Sequence, residues 1–240
     1  VQLEIDRVNM SVETPNGPIE ISTKLLCGAD GAHSWVRKRF RMGRPKENMI
    51  GFQIEVSGYE NDSGRLDMYT GKTVAPGFFA WAIPSGETTR IGTWSKGDLL
   101  DDSSSEQCLE NLMKSPLWDG KFDNCREIGR FCGLVPSGMV KKTMIERVAL
   151  FGDAAGICKP TTGGGIGPGF KQVDLLIEDL SEAIIENDLS AKKMEKISRK
   201  MRDFQRDQRR KRALRDAFLT EISDEELEEI FRVWAKPEVT

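Results

Sequence analysis

The sequence predicts an α/β protein in which an antiparallel sheet is inserted between two parts of another domain, with a helical tail at the end. Two short apolar strands, at residues 24–27 and 147–151, each run into a turn rich in Gly and Asp that a helix follows. Between them, short apolar or alternating runs are separated by Gly, Ser, Asn and Asp, which is typical of an antiparallel sheet. We therefore expect domain segments at residues 1–45, 46–135, 136–188 and 189–240.

Apolar periodicity and turn residues predict the individual elements. The first segment should be a β-hairpin around the turn Pro15-Asn16-Gly17-Pro18, and a helix is expected at residues 32–39. The middle should hold strands at residues 49–56, 65–69, 78–83, 88–94 and 127–133, and one helix at residues 105–114. A long helix is expected at residues 166–185, and the apolar spacing after residue 190 predicts further helices.

Composition excludes several function classes. The net charge is −3, so a nucleic-acid partner is not expected. Five cysteines without a CxxC pair indicate a reducing, cytoplasmic setting rather than a disulfide framework or a metal site. His33 is the single histidine, which leaves little room for His-based catalysis, and no apolar run approaches the roughly 20 residues of a membrane span.

The segment from Gly152 to Ile166, GDAAGICKPTTGGGI, carries the strongest chemical signal. Its small residues let the backbone approach a flat ring, and the helix that begins near Gly165 directs unpaired N–H groups and partial positive charge towards a ligand. Asp153 can accept hydrogen bonds from a chain of hydroxyls. These features suit a flavin. The alternative is a helix-capping aspartate beside an ordinary glycine-rich loop.

A second segment from Gly28 to Arg37, GADGAHSWVR, precedes the first by about 120 residues. Together and in this order, the two motifs resemble those of the aromatic hydroxylase superfamily of flavoproteins. The resemblance implies that the earlier motif lies near the FAD pyrophosphate and that the later one places its Asp on the ribityl chain. It implies these cofactor-binding residues: Asp30, Gly31, Arg37, Gly152, Asp153, Pro160, Gly163, Gly164, Gly165 and Ile166.

Within that superfamily, the stretch from Lys159 to Ile166 is similar to geranylgeranyl reductases. The segment PGFFAWAIP resembles that family's substrate-pocket pattern Pro-x-x-Tyr-x-Trp-x-Phe-Pro, with Phe and Ile in the places of the Tyr and the second aromatic residue. The resemblance implies an unusually apolar pocket that suits a polyprenyl chain. Its implied substrate-binding residues are Pro76, Phe79, Trp81, Ile83 and Pro84. The alternative is an ordinary strand with core aromatics.

The resemblance implies FAD-dependent reduction of carbon–carbon double bonds in isoprenoids, such as the geranylgeranyl groups of a prenyl lipid. NAD(P)H and ferredoxin both stay open as the electron donor. The proton donor is equally open between Tyr59, Tyr69, Cys158 and water. Two alternatives remain, an FAD-dependent aromatic monooxygenase and a noncatalytic fragment or lipid-binding module.

The family's GxGxxG turn, which binds the FAD pyrophosphate, does not occur in this sequence. We therefore expect an FAD-binding domain of the aromatic hydroxylase type that lacks its N-terminal βαβ unit, in a chain truncated at that end. The inserted antiparallel sheet would be the substrate domain. Such a chain should bind FAD weakly when it is isolated.

The tail is strongly basic. Between residues 192 and 215 there are twelve Lys or Arg residues and only three acidic ones. On a helix with an apolar stripe, this pattern is compatible with peripheral contact to an anionic membrane. The alternative is a solvated helix that packs its stripe against the domain.

Overall fold

The structure is a computed structural model that describes residues 1–60, 64–118 and 120–238. The chain divides into two compact units, the first made of Val1–Lys46 with Pro136–Arg209 and the second of Glu47–Val135 with Arg210–Thr240. Both units combine helices with sheets, so the predicted α/β class is confirmed.

The strands are β1 (Gln2–Leu3), β2 (Val8–Thr14), β3 (Gly17–Thr23), β4 (Leu26–Gly28), β5 (Glu47–Ser57), β6 (Asp67–Tyr69), β7 (Ala80–Ser85), β8 (Thr88–Lys96), β9 (Arg126–Ser137), β10 (Met144–Ile145) and β11 (Val148–Leu150). The helices are α1 (Trp35–Arg39), α2 (Ser105–Met113), α3 (Ile166–Glu186), α4 (Ala191–Ser198), α5 (Arg202–Leu219) and α6 (Asp224–Trp234).

Two small sheets form the first unit. Strands β1, β2 and β3 are antiparallel, and the predicted hairpin closes where Thr14 pairs with Gly17. Gly17 has φ +101°, a value that favours glycine, which explains the Asn-Gly turn signal. The other sheet has the order β10-β11-β4, in which β11 and β4 run parallel. Helix α3 buries Leu176 and Leu180 in the core of this unit.

Helix α1 is shorter than expected. The sequence predicted a helix over residues 32–39, but α1 begins at Trp35. Ser34 caps it, because the Ser34 hydroxyl accepts a hydrogen bond from the Arg37 backbone N–H at 3.0 Å. Residues 32 and 33 belong to the turn before the helix.

A five-stranded sheet dominates the second unit, in the order β6-β7-β8-β5-β9. Helix α2 packs on β5 and β8, and its N-terminus has a capping box made by Ser104 and Gln107. The expected strand over residues 78–83 is displaced to β7. Gly77 has φ +71° and the Phe78 N–H bonds to the Ala75 carbonyl, so these residues form a turn before the strand.

The predicted tail is helical, but its helices belong to both units. Met194, Ile197 and Met201 are buried in the core of the first unit, whereas residues from 210 onward belong to the second. The four predicted domain segments stay a prediction. In the described parts of the chain, none of the helices combines the length and apolar character that a membrane span requires.

A buried ionic cluster anchors α5 within the second unit. The Glu47 carboxylate accepts hydrogen bonds from Arg215 at 2.8 and 2.9 Å and from Arg212 at 2.8 Å. Burial works to raise the pKa of Glu47, but the two guanidinium groups outweigh it and lower the pKa from 4.5 to about 2. Glu47 therefore stabilises the fold where it is ionised.

Replacing Glu47 with Gln should cost about 2 kcal/mol at pH 7, because Arg212 and Arg215 lose the carboxylate that they share, while Arg215 keeps its ion pair with Asp216. Since the folded pKa of Glu47 lies below its unfolded value, the contribution is complete above pH 4.5 and is lost as the pH falls towards 2. Urea unfolding of wild type and Glu47→Gln should therefore differ less as the pH is lowered through this range.

The exposed pair of Glu110 and Lys114 provides the control, and Glu110→Gln should change stability by well under about 1 kcal/mol. A Glu47→Gln deficit that stays the same at pH 7 and pH 3 would show that the ion pairs do not carry the effect.

Candidate functional site

Both sequence motifs begin at the same edge of one sheet. Strands β4 and β11 are parallel, with Gly28 opposite Leu150, and the Phe151 N–H donates to the Gly28 carbonyl at 2.9 Å. Because the chain leaves both strands at their carboxyl ends, the turn at Asp30 and the turn at Asp153 follow neighbouring strand ends. In α/β sheets this edge is where ligands bind.

The later motif opens with a single 3₁₀ turn, Gly152–Ala155, which carries Asp153. Gly152 and Gly156, with φ +55° and +72°, bracket the turn. A Cβ on Gly156 would lie 3.0 Å from the Gly138 carbonyl oxygen and 3.2 Å from the Pro45 Cβ. The turn therefore requires glycine at Gly156 both for its backbone conformation and for its close packing.

The Asp153 side chain is half-buried, and across the described residues its carboxylate has no hydrogen-bond or ion-pair partner. Burial alone raises the pKa of Asp153. A Cβ on Gly165 would lie 3.2 Å from Asp153 Oδ1, so the absence of a side chain at Gly165 leaves the carboxylate uncovered. A half-buried acceptor without a partner is a plausible ligand contact, since a ligand hydroxyl would supply the missing hydrogen bond.

Arg37 fixes this turn from one side. It is buried, and its guanidinium donates to the carbonyl oxygens of Ala154 at 2.8 Å, Asp153 at 3.4 Å and Ala32 at 2.5 Å. The sequence predicted Arg37 as a direct cofactor ligand. These hydrogen bonds join the earlier motif to the backbone of the later one, so Arg37 positions Asp153, and its contact with a cofactor stays a prediction.

Gln172 fixes the turn from the other side, and the sequence gave no reason to single it out. Its side chain is fully buried on α3. The amide oxygen accepts the Gly152 N–H at 2.9 Å, and the amide nitrogen donates to the Leu150 carbonyl at 2.8 Å. Gln172 thus ties α3 to the end of β11. We refer to Arg37 and Gln172 together as the Asp153 clamp.

The loop before α3 leaves backbone N–H groups open at its helical end. Gly163 has φ +70° and its N–H bonds to the Lys159 carbonyl, while Pro160 is buried beneath the loop. Gly165 caps α3 without a side-chain hydrogen bond, no acidic residue lies in the first turn, and Ile166 is 77% exposed. The unpaired N–H groups at this helix start favour a negatively charged or electron-rich partner.

Asp30 and Gly31 lie at the start of the earlier motif. Asp30 accepts the Val36 N–H at 3.0 Å and so helps to begin α1. Burial works to raise the pKa of Asp30, but hydrogen bonds from Ser34 and from backbone N–H groups lower it. Gly31 has φ +75° and open space where a side chain would stand. The exposed carboxylate edge and the bare glycine leave this turn accessible to a ligand.

The residues at this edge of the first unit fit the ribityl and ring portions of FAD. The free carboxylate of Asp153 can accept hydrogen bonds from ribityl hydroxyls, and the glycines from Gly163 to Gly165 allow the backbone to approach a ring. The N-terminus of α3 can stabilise the negative charge of a reduced flavin.

In the second unit, the five residues predicted to bind substrate differ in exposure, and their role stays a prediction. Trp81 is buried and lines a cavity of about 220 Å³, but Pro76 is buried in the turn before β7, Phe79 is half-buried, and Ile83 and Pro84 are exposed. Only Trp81 among these five residues lines that cavity. Its other lining residues are Gly51, Phe52, Gln53, Trp94, Phe131, Cys132 and Gly133.

The two tyrosines among the candidate proton donors do not lie on the Trp81 face of the sheet. Asp67 and Tyr69 pair with Ala82 and Ala80, while Met68 pairs with Trp81, so the strand alternation places Tyr69 on the opposite face. Tyr59 joins Tyr69 there through hydroxyls 2.8 Å apart.

Tyr59 and Cys158 also make hydrogen bonds to other groups of the protein. Tyr59 donates to the Asp67 carboxylate, and burial followed by that hydrogen bond raises the pKa of Tyr59 far above its ordinary value. Cys158 is buried and its thiol contacts the Pro136 carbonyl at 3.2 Å. Within the second unit, Tyr59 and Tyr69 therefore lie on the face of the sheet opposite Trp81.

Comparison with known proteins also points to FAD binding. A family model described as "FAD binding domain" matches residues 6–192. The digeranylgeranylglycerophospholipid reductase 1 of Methanothermobacter thermautotrophicus is 30% identical over 227 residues, which cover 92% of this chain and 56% of the relative. The chain thus spans little more than half the length of that relative.

Two solved structures are similar in fold. A geranylgeranyl bacteriochlorophyll reductase-like protein from Thermoplasma acidophilum has a TM-score of 0.82 and 21% identity, covering 94% of this chain and 58% of that one. The p-nitrophenol 4-monooxygenase of Pseudomonas putida has a TM-score of 0.68 and 18% identity, and the match covers 99% of this chain and 62% of that one. At these identities the likeness concerns the fold alone.

The Asp153 clamp gives a direct stability prediction. Gln172→Leu removes both hydrogen bonds and leaves the Gly152 N–H and the Leu150 carbonyl without partners, which should cost about 3 kcal/mol in urea unfolding. Gln172→Glu keeps an acceptor for the Gly152 N–H but buries a carboxylate against the Leu150 carbonyl, so a loss at least as large is expected at pH 7.

The half-buried Gln205 on α5 makes no such bridge and serves as the matched control. Gln205→Leu should change stability by no more than about 0.5 kcal/mol. Equal losses for Gln172→Leu and Gln205→Leu would contradict the clamp.

Proposed function

Because this chain belongs to the FAD-binding domain family, we propose that it acts in the FAD-dependent reduction of carbon–carbon double bonds in the geranylgeranyl chains of a prenyl lipid. The observation that carries the proposal is the clamped, half-buried Asp153 carboxylate, which has no partner among the described residues and stands beside a bare glycine loop. The relative at 30% identity is named for reduction of a digeranylgeranylglycerophospholipid, which supports the substrate class.

Each residue group has a distinct task in this proposal. When FAD is bound and reduced, it supplies the hydride. Asp153 holds the ribityl chain, and the Asp153 clamp holds Asp153. The start of α3 stabilises negative charge on the ring. Trp81 and its cavity bind an apolar chain and keep water from it. The geometry favours a solvent proton over Tyr59 or Tyr69, because both tyrosines lie on the other face of the sheet.

An FAD-dependent aromatic monooxygenase is the second candidate, since a monooxygenase shares the fold. Two features favour the reductase. The cavity at Trp81 is lined mainly by apolar and aromatic groups, which suits a hydrocarbon chain better than a phenol. The segment from Lys159 to Ile166 is also similar to that of geranylgeranyl reductases.

Anaerobic turnover separates the two reactions. The full-length protein, reconstituted with FAD and reduced by dithionite, should be reoxidised by a digeranylgeranyl lipid, and the lipid should gain two hydrogens for each flavin. Dithionite replaces NAD(P)H or ferredoxin, so the unknown electron donor does not affect the result.

The choice between the candidates follows from the role of oxygen. Reoxidation that needs oxygen and inserts it into an aromatic compound would replace the reductase with the monooxygenase. A purified full-length protein without a flavin spectrum, even after reconstitution, would favour a noncatalytic lipid-binding module.

We also propose peripheral contact with an anionic membrane through α4 and the start of α5. Lys192, Lys196, Arg202 and Arg209 are exposed there and make no ion pair in the described parts of the chain. Outside residues 192–215, the chain holds 23 basic and 35 acidic residues, so positive charge is concentrated in this segment. A membrane would present the lipid substrate. The five free cysteines support a reducing compartment such as the cytoplasm.

Sedimentation with vesicles tests this contact. The triple variant Lys192→Glu, Lys196→Glu and Arg209→Glu should bind phosphatidylglycerol vesicles at least about 100-fold more weakly than wild type, since each basic residue near an anionic surface contributes about 1 kcal/mol. Wild-type binding should also weaken as salt is added.

Lys141, Lys142 and Lys171 are equally exposed in the same unit, so reversing these three charges is the matched control and should have a much smaller effect. The proposed membrane contact is contradicted if both triple variants lose the same affinity, or if wild type binds phosphatidylcholine vesicles as well as it binds phosphatidylglycerol vesicles.

A further inference from the structure

Two tryptophans lie over glycines on the Trp81 face of the five-stranded sheet. Trp81 on β7 pairs with Gly92 on β8, and Trp94 on β8 pairs with Gly51 on β5. A Cβ on Gly92 would overlap the ring of Trp81, and a Cβ on Gly51 would overlap the ring of Trp94. Each indole therefore occupies the space that its cross-strand neighbour leaves free, and it can lie down on the sheet only because that neighbour is glycine.

The two rings form one continuous surface. Their centroids are 5.5 Å apart at an interplanar angle of 42°. The Trp81 Nε1–H donates to Gln53 Oε1 at 3.3 Å, so this polar group is already satisfied within the protein. Apart from the Trp94 Nε1–H, the remaining surface of the two rings is apolar. We refer to Trp81 and Trp94 with Gly51 and Gly92 beneath them as the tryptophan floor.

The cavity above the tryptophan floor is small and open on one side. Its volume is about 220 Å³, and its lining includes Phe131, which is 58% exposed, and Gly133 on β9. An apolar cavity of about 150 Å³ holds a ligand the size of benzene, so this one has room for roughly one or two five-carbon isoprene units. It is too small for a whole geranylgeranyl chain.

We propose that Trp94, which lies outside the Pro76–Pro84 segment, is a specificity-determining residue that binds one or two isoprene units of the substrate together with Trp81. Gly51 and Gly92 set the depth of the cavity by letting the rings lie flat. This inference rests on the proposed function for the identity of the ligand. The site recognises methyl-branched hydrocarbon without a headgroup, so short prenyl alcohols should occupy it.

Calorimetric titration with geraniol tests the tryptophan floor directly on this chain. Gly51→Ala should weaken geraniol binding by roughly tenfold, because the added methyl group would overlap the Trp94 ring and force it up into the cavity. Trp94→Ala should also weaken binding through lost aromatic contact. In the Trp94→Ala background, Gly51→Ala should then have no further effect, since the ring it displaces is gone.

Gly129→Ala is the matched control, because Gly129 lies on β9 outside the cavity lining and a Cβ there would make an ordinary contact at 3.9 Å with the Phe131 ring. Its geraniol affinity should stay near that of wild type. Trp94→Phe keeps an aromatic ring and guards against misfolding of the Ala variants, and it should retain more affinity than Trp94→Ala. Circular dichroism and the melting temperature should confirm that all variants fold.

Two outcomes would overturn the inference. Wild type could fail to bind geraniol at millimolar concentration, or folded Gly51→Ala and Trp94→Ala could bind it as well as Gly129→Ala does. Either result can be distinguished from a failure of the proposed function. Geraniol binding that follows the tryptophan floor in a protein that never reduces prenyl lipids would leave the floor intact and reject the reductase. Normal lipid reduction by Gly51→Ala and Trp94→Ala would reject the tryptophan floor as a substrate site and leave the proposed reductase activity intact.

Discussion

The candidate cofactor site depends on one constraint, the fixed position of the Asp153 carboxylate. Arg37 and Gln172 are buried and direct their hydrogen bonds to the backbone around Asp153 rather than to its side chain. The turn is therefore held in place while its charge stays available to a ligand. A half-buried carboxylate without a partner destabilises the folded protein, and burial raises its pKa accordingly. A ligand that donates hydrogen bonds to Asp153 would remove this cost.

The candidate substrate site is also held in place by contacts within the protein, but its ligand-facing groups are apolar. The hydrogen-bonding capacity of Trp81 is used within the sheet by Gln53, and the sheet backbone is bare at Gly51 and Gly92. Both sites are thus supported from within the protein, which leaves the ligand-facing surface free. Such support reduces the ordering that binding would otherwise require. It also explains why residues away from the ligand should affect affinity.

The sequence predicted the order of strands, turns and helices well, because those signals are local. Glycine spacing, apolar runs and the strand-turn-helix pattern placed Asp30 and Asp153 at strand ends, and the parallel pairing of β4 with β11 confirms that the two turns start from neighbouring strand ends. Gln172 could not be recognised, since a polar residue on a helix ordinarily faces solvent. Two of the three carbonyl groups that accept hydrogen bonds from Arg37 lie 116 and 117 residues away along the chain.

Cross-strand register was the other missing information. Trp94 pairs with Gly51 only because β5 and β8 pair as they do, and a shift of one residue would reverse the faces. The same alternation separates Tyr59 and Tyr69 from Trp81, which the sequence could not reveal. Helix α1 and strand β7 began later than predicted because a Ser34 cap and a turn at Gly77 displaced their starts.

The most direct test of the account is the flavin affinity of Asp153→Ala in the full-length protein. Loss of the charged acceptor should raise the dissociation constant of FAD by about 10- to 150-fold, since a hydrogen bond to a charged group contributes about 1.5–3 kcal/mol. Asp153→Asn, which keeps an acceptor oxygen without the charge, should fall between wild type and Asp153→Ala. If Asp153→Ala instead binds FAD with wild-type affinity and purifies with full flavin content, the clamped carboxylate is not a cofactor contact and the account of this site is wrong.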